Sequence, residues 1–317
     1  MTSREVFINS KNQMRGGWRI GVYLISFFVL SVPFTFIASF ASKTLKETPL
    51  AKDAVVTALF ATVAGLTAFI LLRFLDKRRF VSMGLVLNSR SIKELAWGLL
   101  IGFVMLTVAV GLMWVMGYEE ISLAPNDMNY FLQGFLGNIL LYIAVGFNEE
   151  IFFRGYVFQS FIEGTNKWIP LITLSILFGF AHFFNPNFSW FGFANIVLAG
   201  VLLSLAYIQT KALWLPIGIH IAWNFTQGFI WGLPVSGTTV VMPLTISQET
   251  GPDMITGGTF GPEGGAACTM VCVAACIFVY KFFKPSEEME LVVQEAISTP
   301  SFKPKDLAPP TLPGAVA

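Results

Sequence analysis

Eight long apolar runs constrain the fold of this 317-residue chain more than any other feature. Only 12% of its residues are charged, whereas a soluble globular protein carries about 25%. Inside a bilayer the backbone must satisfy its own hydrogen bonds, and about 20 apolar residues can do so as one helix. We therefore predict an all-α integral membrane protein, a bundle of about eight transmembrane helices with an intramembrane polar cavity. The predicted spans are residues 18–40, 54–75, 95–117, 135–163, 168–184, 190–208, 212–232 and 265–283.

The basic residues favour one orientation of these spans. With a cytoplasmic N-terminus, every Lys and Arg except Lys43, Lys46 and Lys52 falls on the cytoplasmic side, as the positive-inside rule requires. An even number of spans then places the C-terminus in the cytoplasm as well. The basic run at 76–79 is interpreted as a topology signal beside lipid headgroups. A net charge of +1 gives no electrostatic footprint for nucleic acid.

Composition divides the chain into four predicted parts. They are an N-terminal tail with three spans (1–130), a helical core (131–232), a loop with the last span (233–284) and a disordered cytoplasmic tail (285–317). The loop at 233–262 is rich in Gly, Pro, Ser and Thr, so we expect an irregular segment over the outer mouth of the bundle. Cys268, Cys272 and Cys276 share one helix face and are interpreted as small packing residues.

Two adjacent carboxylates and a guanidinium interrupt the fourth apolar run, where charge is costly. In a helix, Glu150 and Arg154 are i,i+4 neighbours and can form an ion pair. Glu149 is turned about 100° away from that pair and has no local cation, so it is the candidate general base. A plain Glu–Arg clamp near a helix end at the membrane surface is the alternative interpretation.

The only two histidines of the chain lie inside apolar runs. Phe178 and His182 are i,i+4 neighbours, and so are His220 and Asn224. A lone intramembrane His often serves only packing or a hydrogen bond between helices. At about 1.5 Å per residue, however, Glu149 and His182 both lie about 21 Å from the cytoplasmic ends of their helices. The polar groups are therefore compatible with one layer of a water-filled cavity.

Together these residues resemble the three motifs of the CPBP (CAAX-processing and bacteriocin-protection) or Abi family, which includes the type II CAAX prenyl endopeptidases. The first motif is Glu-Glu-x-x-x-Arg at 149–154, the second is Phe-x-x-x-His at 178–182, and the third is His-x-x-x-Asn at 220–224. They stand in the order of the family and without departures. The resemblance covers roughly residues 131–232 and implies an intramembrane endopeptidase.

The resemblance also implies a role for each motif residue. Glu149 would activate water, and His182 would hold that water with it. His220 and Asn224 would stabilise the developing oxyanion. The residues with a structural or supporting role would be Glu150, Arg154 and Phe178.

This mechanism needs no cofactor. Glu149, His182 and His220 would also suit a catalytic zinc ion, and the sequence leaves that alternative open. The expected partners are membrane lipid and a hydrophobic or lipidated peptide substrate.

Two other functions compete with a protease. A non-catalytic membrane scaffold or immunity protein would keep the fold without the chemistry, although the intact motifs argue against it. In a proton-coupled transporter, the same carboxylates and histidines would relay protons. The chain shows neither the repeated halves nor the matched broken helices that are typical of transporters.

Overall fold

The computed structural model describes residues 6–9, 13–124 and 127–284. The predicted disordered tail at 285–317 lies outside these residues. Within them, every one of the eight apolar runs forms helix, and the chain is an all-α membrane bundle as predicted. The helices are α1 (Gly16–Thr44), α2 (Pro49–Ile70), α3 (Ser89–Val115), α4 (Met128–Glu150), α5 (Val157–Gly164), α6 (Trp168–Ala181), α7 (Trp190–Thr210), α8 (Trp214–Phe225), α9 (Asp253–Thr256) and α10 (Ala266–Phe282).

Several helices are prolonged by π-helical turns. These turns are Leu71–Leu75 after α2, Ile151–Tyr156 between α4 and α5, and Thr226–Ile230 after α8. Five of the described helical segments are long and apolar enough to cross a membrane, while α6 and α10 are apolar but shorter. The five are Gly16–Thr44, Pro49–Leu75, Ser89–Val115, Met128–Gly164 and Trp190–Thr210. The protein is therefore an integral, multi-pass membrane protein.

Helix α6 ends earlier than the sequence predicted. The apolar run extends to residue 184, but the last helical residue is Ala181, and residues 182–184 form a turn. The backbone N–H groups of His182 and Phe183 bond to carbonyls three residues back, which tightens the chain out of the helix. Pro186 follows, and a proline disfavours helical geometry in the residue before it. His182 thus lies in the turn after the helix.

Helices α3 and α8 form the most extensive helix pair of the bundle. Glycines allow their backbones to touch: a Cβ atom on Gly98 would collide with the Leu215 carbonyl, and one on Gly218 with the Leu95 carbonyl. Small residues serve this purpose in membranes, where lipid removes the hydrophobic driving force between helices. The close contact fixes the position of α8, which carries His220 and Asn224.

A cluster of ion pairs joins α1 to the end of α5, and it corrects the interpretation of Arg78 within the basic run at 76–79. Arg19 bonds Asp76 at 2.8 Å and Glu163 at 2.5 Å. Arg78 donates two hydrogen bonds to Glu163, and only 4% of the residue is exposed. Arg78 is therefore part of the protein interior rather than a headgroup contact, because Glu163 supplies its counter-charge.

The segment at 233–262 is more ordered than its composition indicates. It contains strand β2 (Thr245–Glu249), which pairs antiparallel with β1 (Glu119–Leu123) so that Glu119 lies opposite Glu249. The expectation of an irregular loop is wrong for this part, because the partner strand lies more than a hundred residues earlier in the chain. The residues between α8 and β2 line the internal cavity.

Candidate active site

A cavity of about 320 Å³ lies inside the bundle and is lined by residues from all three motifs. Helix α4 contributes Glu149, the end of α6 contributes Phe178 and His182, and α8 contributes His220 and Asn224. These residues come from separate helices, so only tertiary packing brings them to one space. The structure thus places all four predicted catalytic side chains at one cavity.

Glu150 is completely buried behind the cavity and binds two partners. Its Oε1 accepts a hydrogen bond from Arg154 Nη1 at 3.0 Å, as the helical spacing predicted. The same oxygen lies 2.8 Å from His220 Nδ1, a contact that the sequence did not indicate. A carboxylate oxygen accepts, so Nδ1 of His220 carries a proton, and Nε2 is the nitrogen left for the cavity.

Arg154 is wholly buried within the bundle. Besides Glu150, it donates to the Gly200 carbonyl at 3.1 Å and to Ser204 Oγ at 3.5 Å. Its guanidinium lies 4.5 Å from the centre of the Phe178 ring, a cation–π contact. Phe178 therefore covers the ion pair on the side of the second motif.

Glu149 differs from Glu150 in having no Lys or Arg at ion-pair distance among the described residues. Its Oε2 is buried and has no hydrogen-bond partner among the described residues. His220 Nε2 lies 3.8 Å from this oxygen, and this distance is too long for a hydrogen bond. About a quarter of the side chain is exposed, on the cavity side. The π-helical turn begins two residues later, a feature that is frequent at functional sites.

His182 is held by the end of its own helix. Its Nδ1 lies 2.8 Å from the Phe178 carbonyl oxygen, and the two rings are 4.9 Å apart. The carbonyl can only accept, so Nδ1 is the protonated nitrogen. In the neutral ring, Nε2 is then an acceptor, which suits it to receive a hydrogen bond from water.

The charges of the buried cluster balance only if His220 is an imidazolium. Glu149 and Glu150 carry two negative charges when ionised, and Arg154 supplies one positive charge. A second positive charge on His220, held by Glu150, makes the cluster neutral, which a low-dielectric interior favours. Protonated His220 then presents an Nε2–H donor to the cavity.

The segment that contains all of these residues matches a known family. Residues 131–226 match the family model described as Rce1-like, type II CAAX prenyl endopeptidase. The chain carries an Rce1-like domain. This match confirms, for residues 131–226, the resemblance that the three motifs indicated. No curated protein and no solved structure gives a significant match to the chain.

The donors of the Rce1-like domain do not form a metal site as they are arranged. Within residues 6–9, 13–124 and 127–284, no group of three or more His, Cys, Asp or Glu side chains is placed to hold a metal ion. Nδ1 of His220 is engaged by Glu150, and its Nε2 points towards Glu149. A histidine held by a carboxylate through one ring nitrogen can still bind a metal through the other, so the zinc alternative considered from the sequence stays a prediction.

Sequence reasoning missed two acidic residues of the cavity wall, Asp53 and Glu263, and Glu263 is the more buried of the two. It precedes α10, and only 6% of it is exposed. It accepts hydrogen bonds from the side chains of Gln227 (2.5 Å) and Trp223 (3.3 Å) and from the Ser236 backbone (3.1 Å). Burial raises the pKa of this carboxyl group, and these donors oppose the shift. The sequence signal that could have identified Glu263 is its position as a single acidic residue in a Gly-rich stretch just before the last apolar run.

Proposed function

We propose that this protein is an intramembrane endopeptidase that hydrolyses a peptide bond of a hydrophobic or lipidated, membrane-associated peptide. The observation that carries the proposal is the Glu149 carboxylate, which lines the cavity with its Oε2 unbonded, while Oε1 of its neighbour Glu150 is bonded to both Arg154 and His220. The Rce1-like match supports the same reaction class. The proposal includes contact with membrane lipid, cytoplasmic termini and no cofactor.

In the proposed reaction, Glu149 takes a proton from a water molecule in the cavity. The water oxygen attacks the carbonyl carbon and forms the new C–O bond, while the carbonyl π electrons move to oxygen. His182 Nε2 accepts a hydrogen bond from the other O–H of this water molecule and so orients the attack. The C–N bond then breaks, and the proton held by Glu149 passes to the departing amine. Acid and amine are the only products.

The oxyanion would be stabilised by Nε2–H of His220 and the amide of Asn224. Glu150 keeps His220 protonated and oriented through Nδ1, and Arg154 neutralises Glu150 in turn. Asn224 is 7% exposed, lines the cavity and lies one helical turn after His220 on α8, which supports its assignment as the second donor. Donors that are fixed before the reaction need no reorganisation when charge develops.

The experiment that tests this function compares the termini of membrane peptides in cells that express the wild type or Glu149→Gln. We expect peptide termini that appear only with the wild type. The matched control is Glu120→Gln, which neutralises an exposed carboxylate of β1 and should leave those termini in place. Identical termini from two folded proteins would contradict a protease. Ion flux in sealed vesicles would then separate proton-coupled transport from a scaffold or immunity role.

A further inference from the structure

The cavity extends well beyond Glu149 along one face of α4. The α4 residues that line it are Asn138, Leu141, Tyr142, Val145 and Glu149. Asn138 and Glu149 are 11 residues apart, which corresponds to about 16 Å along the helix and nearly the same direction around it. An extended peptide covers this distance with about five residues. The end of the cavity at Asn138, which we call the distal end, is therefore remote from the site of hydrolysis.

Asn138 has an unused acceptor at this distal end. The residue is completely buried, and its Nδ2 donates to the Gly134 carbonyl at 2.9 Å and to the Val241 carbonyl at 3.1 Å. Both partners can only accept, so the amide cannot be turned around without losing both bonds. Its Oδ1 has no partner among the described residues, although a buried unpaired oxygen is costly. This oxygen can therefore accept a hydrogen bond from a ligand.

Asp53 of α2 lies at the same end of the cavity. The two helices meet here, because a Cβ atom on Gly137, the neighbour of Asn138, would lie 2.8 Å from the Leu50 side chain. Leu50 and Asp53 are one turn apart on α2, and both line the cavity. Lys52 Nζ lies 3.3 Å from the Asp53 carboxylate, but both side chains are over a third exposed, so this pair holds Asp53 only weakly.

The described lining of the cavity contains acidic residues but no Lys or Arg. Its carboxylates belong to Asp53, Glu149 and Glu263. Glu263 already has its hydrogen-bond donors, and Glu149 faces the site of hydrolysis. Asp53 and Asn138 Oδ1 are therefore the acceptors that remain for a ligand at the distal end. At the distal end, an acidic side chain or a free carboxylate would find no positive partner in the described lining, because His220 lies at the site of hydrolysis.

We propose that the distal end of the cavity, around Asn138 and Asp53, is a substrate subsite for a Lys or Arg side chain located about five residues from the scissile bond. The inference rests on the proposed endopeptidase function and specifies its substrate class. The ammonium or guanidinium group donates to Asn138 Oδ1 and exchanges with Lys52 at the Asp53 carboxylate. The subsite binds the substrate and takes no part in the chemical step.

The test separates binding from cleavage. Synthetic apolar peptides of about 20 residues carry a single Lys, Gln or Glu that is moved one position at a time along the chain. Their affinity is measured for the Glu149→Gln protein in lipid nanodiscs, and their cleavage by the wild type is followed by mass spectrometry. We expect the Lys peptide to bind about tenfold tighter than its Glu counterpart, a difference of about 1.4 kcal/mol. In the cleaved products, Lys should lie about five residues from the cut bond.

Three double variants, each with one further substitution in the Glu149→Gln protein, test whether the preference for Lys comes from the distal end. Asp53→Asn and Asn138→Leu should each reduce the preference for Lys, whereas Lys52→Gln, next to Asp53 but outside the cavity lining, should keep it. Thermal unfolding checks that Asn138→Leu is folded, and Asp53→Asn tests the subsite independently of it. Equal binding of the Lys and Glu peptides would overturn the inference, as would a preference that survives both substitutions. Lys-selective binding without any cleavage would support the subsite and reject the endopeptidase.

Discussion

Two clusters of buried charge in this protein differ in how their charges are matched. In the cluster at the end of α5, Arg19 and Arg78 meet Asp76 and Glu163, so positive and negative groups are equal in number. In the cavity, Arg154 faces the two carboxylates Glu149 and Glu150, and the described residues offer only histidine to balance them.

The difference indicates which cluster is suited to chemistry. A matched cluster has each carboxylate bonded to an arginine and serves to hold α1, α2 and α5 together. A cluster beside a cavity whose second positive charge comes only from histidine keeps the Glu149 Oε2 atom without a hydrogen-bond partner, and this oxygen can accept a proton from water. The comparison therefore predicts opposite consequences for the same type of substitution in the two clusters.

The largest expected effect is on activity. Glu149→Gln should lower the cleavage rate by about 10²–10⁴-fold, the usual contribution of a general base, with little change in the unfolding temperature. Glu163→Gln is the matched control and should preserve cleavage while lowering stability by about 1 kcal/mol, because Glu163 is about a third exposed. Rates on a cleavable peptide and unfolding in detergent provide both measurements. Equal activity of the two variants would remove the distinction between the clusters.

The second prediction concerns stability. Arg154→Ala leaves Glu150 buried without its cation and should cost about 3–5 kcal/mol, seen as low expression or a lower unfolding temperature. Arg78→Ala should cost about 1 kcal/mol, because Glu163 keeps Arg19 and contact with water. Glu150→Gln should destabilise for the same reason as Arg154→Ala. An Arg154→Ala protein as stable as the wild type would show that the ion pair contributes nothing.

The third prediction concerns the proposed oxyanion donors. Asn224→Ala should reduce kcat by about 10²–10³-fold and leave measurable activity, because one donor of two is lost. His220→Ala should cost more, since Glu150 also loses its partner. The control is Asn195→Ala, whose amide is fully used by the Glu263 and Gly265 carbonyls. It should affect stability before kcat, and the reverse result would contradict the assignment of Asn224.

The smallest expected effect concerns a pair of facing carboxylates outside the cavity, and it tests whether carboxylates without a cation are needed for activity wherever they occur. Glu119 lies opposite Glu249 in the β1–β2 ribbon and does not line the cavity. Burial, helped by Glu249, raises the pKa of Glu119 from 4.5 to about 7. The folded ribbon therefore binds this proton more tightly than the unfolded one, and its stability falls as pH rises from about 4.5 through about 7.

Hydrogen exchange of the strand amides at pH 5 and pH 8 would measure this fall. Glu119→Gln should remove the pH dependence and leave cleavage unchanged, because the ribbon can open locally without disturbing the bundle. Loss of cleavage in Glu119→Gln would show that the β1–β2 ribbon also contributes to activity.

Much of the architecture was predictable because membrane helices leave a local signal. The spacing of apolar residues located all eight helical runs, and the four-residue spacing of Glu150 and Arg154 predicted their ion pair. Three short motifs identified the family that the match to residues 131–226 confirms. Each of these signals depends on residues that are close together in the chain.

The errors and omissions concern residues that are far apart in the chain. Arg78 was interpreted as a headgroup contact because its partner Glu163 lies 85 positions later. Strand β2 was not predicted because a strand in a polar loop is stabilised only by its partner, β1. Glu263 and Asn138 gave weak signals, since a single polar residue beside or within an apolar run has many possible roles.

The sequence by itself determined that this is a helical membrane protein with three motifs that resemble those of CAAX-type proteases, and it predicted the ion pair of Glu150 with Arg154. Local spacing and composition were sufficient for this, because a bilayer accepts few backbone structures. Only the tertiary structure decided which nitrogen of His220 meets Glu150, that His182 lies beyond its helix, and that the cavity continues to Asn138. These features depend on how separate helices pack, and the close approach of α3 and α8 at their glycines sets the position of His220 and Asn224.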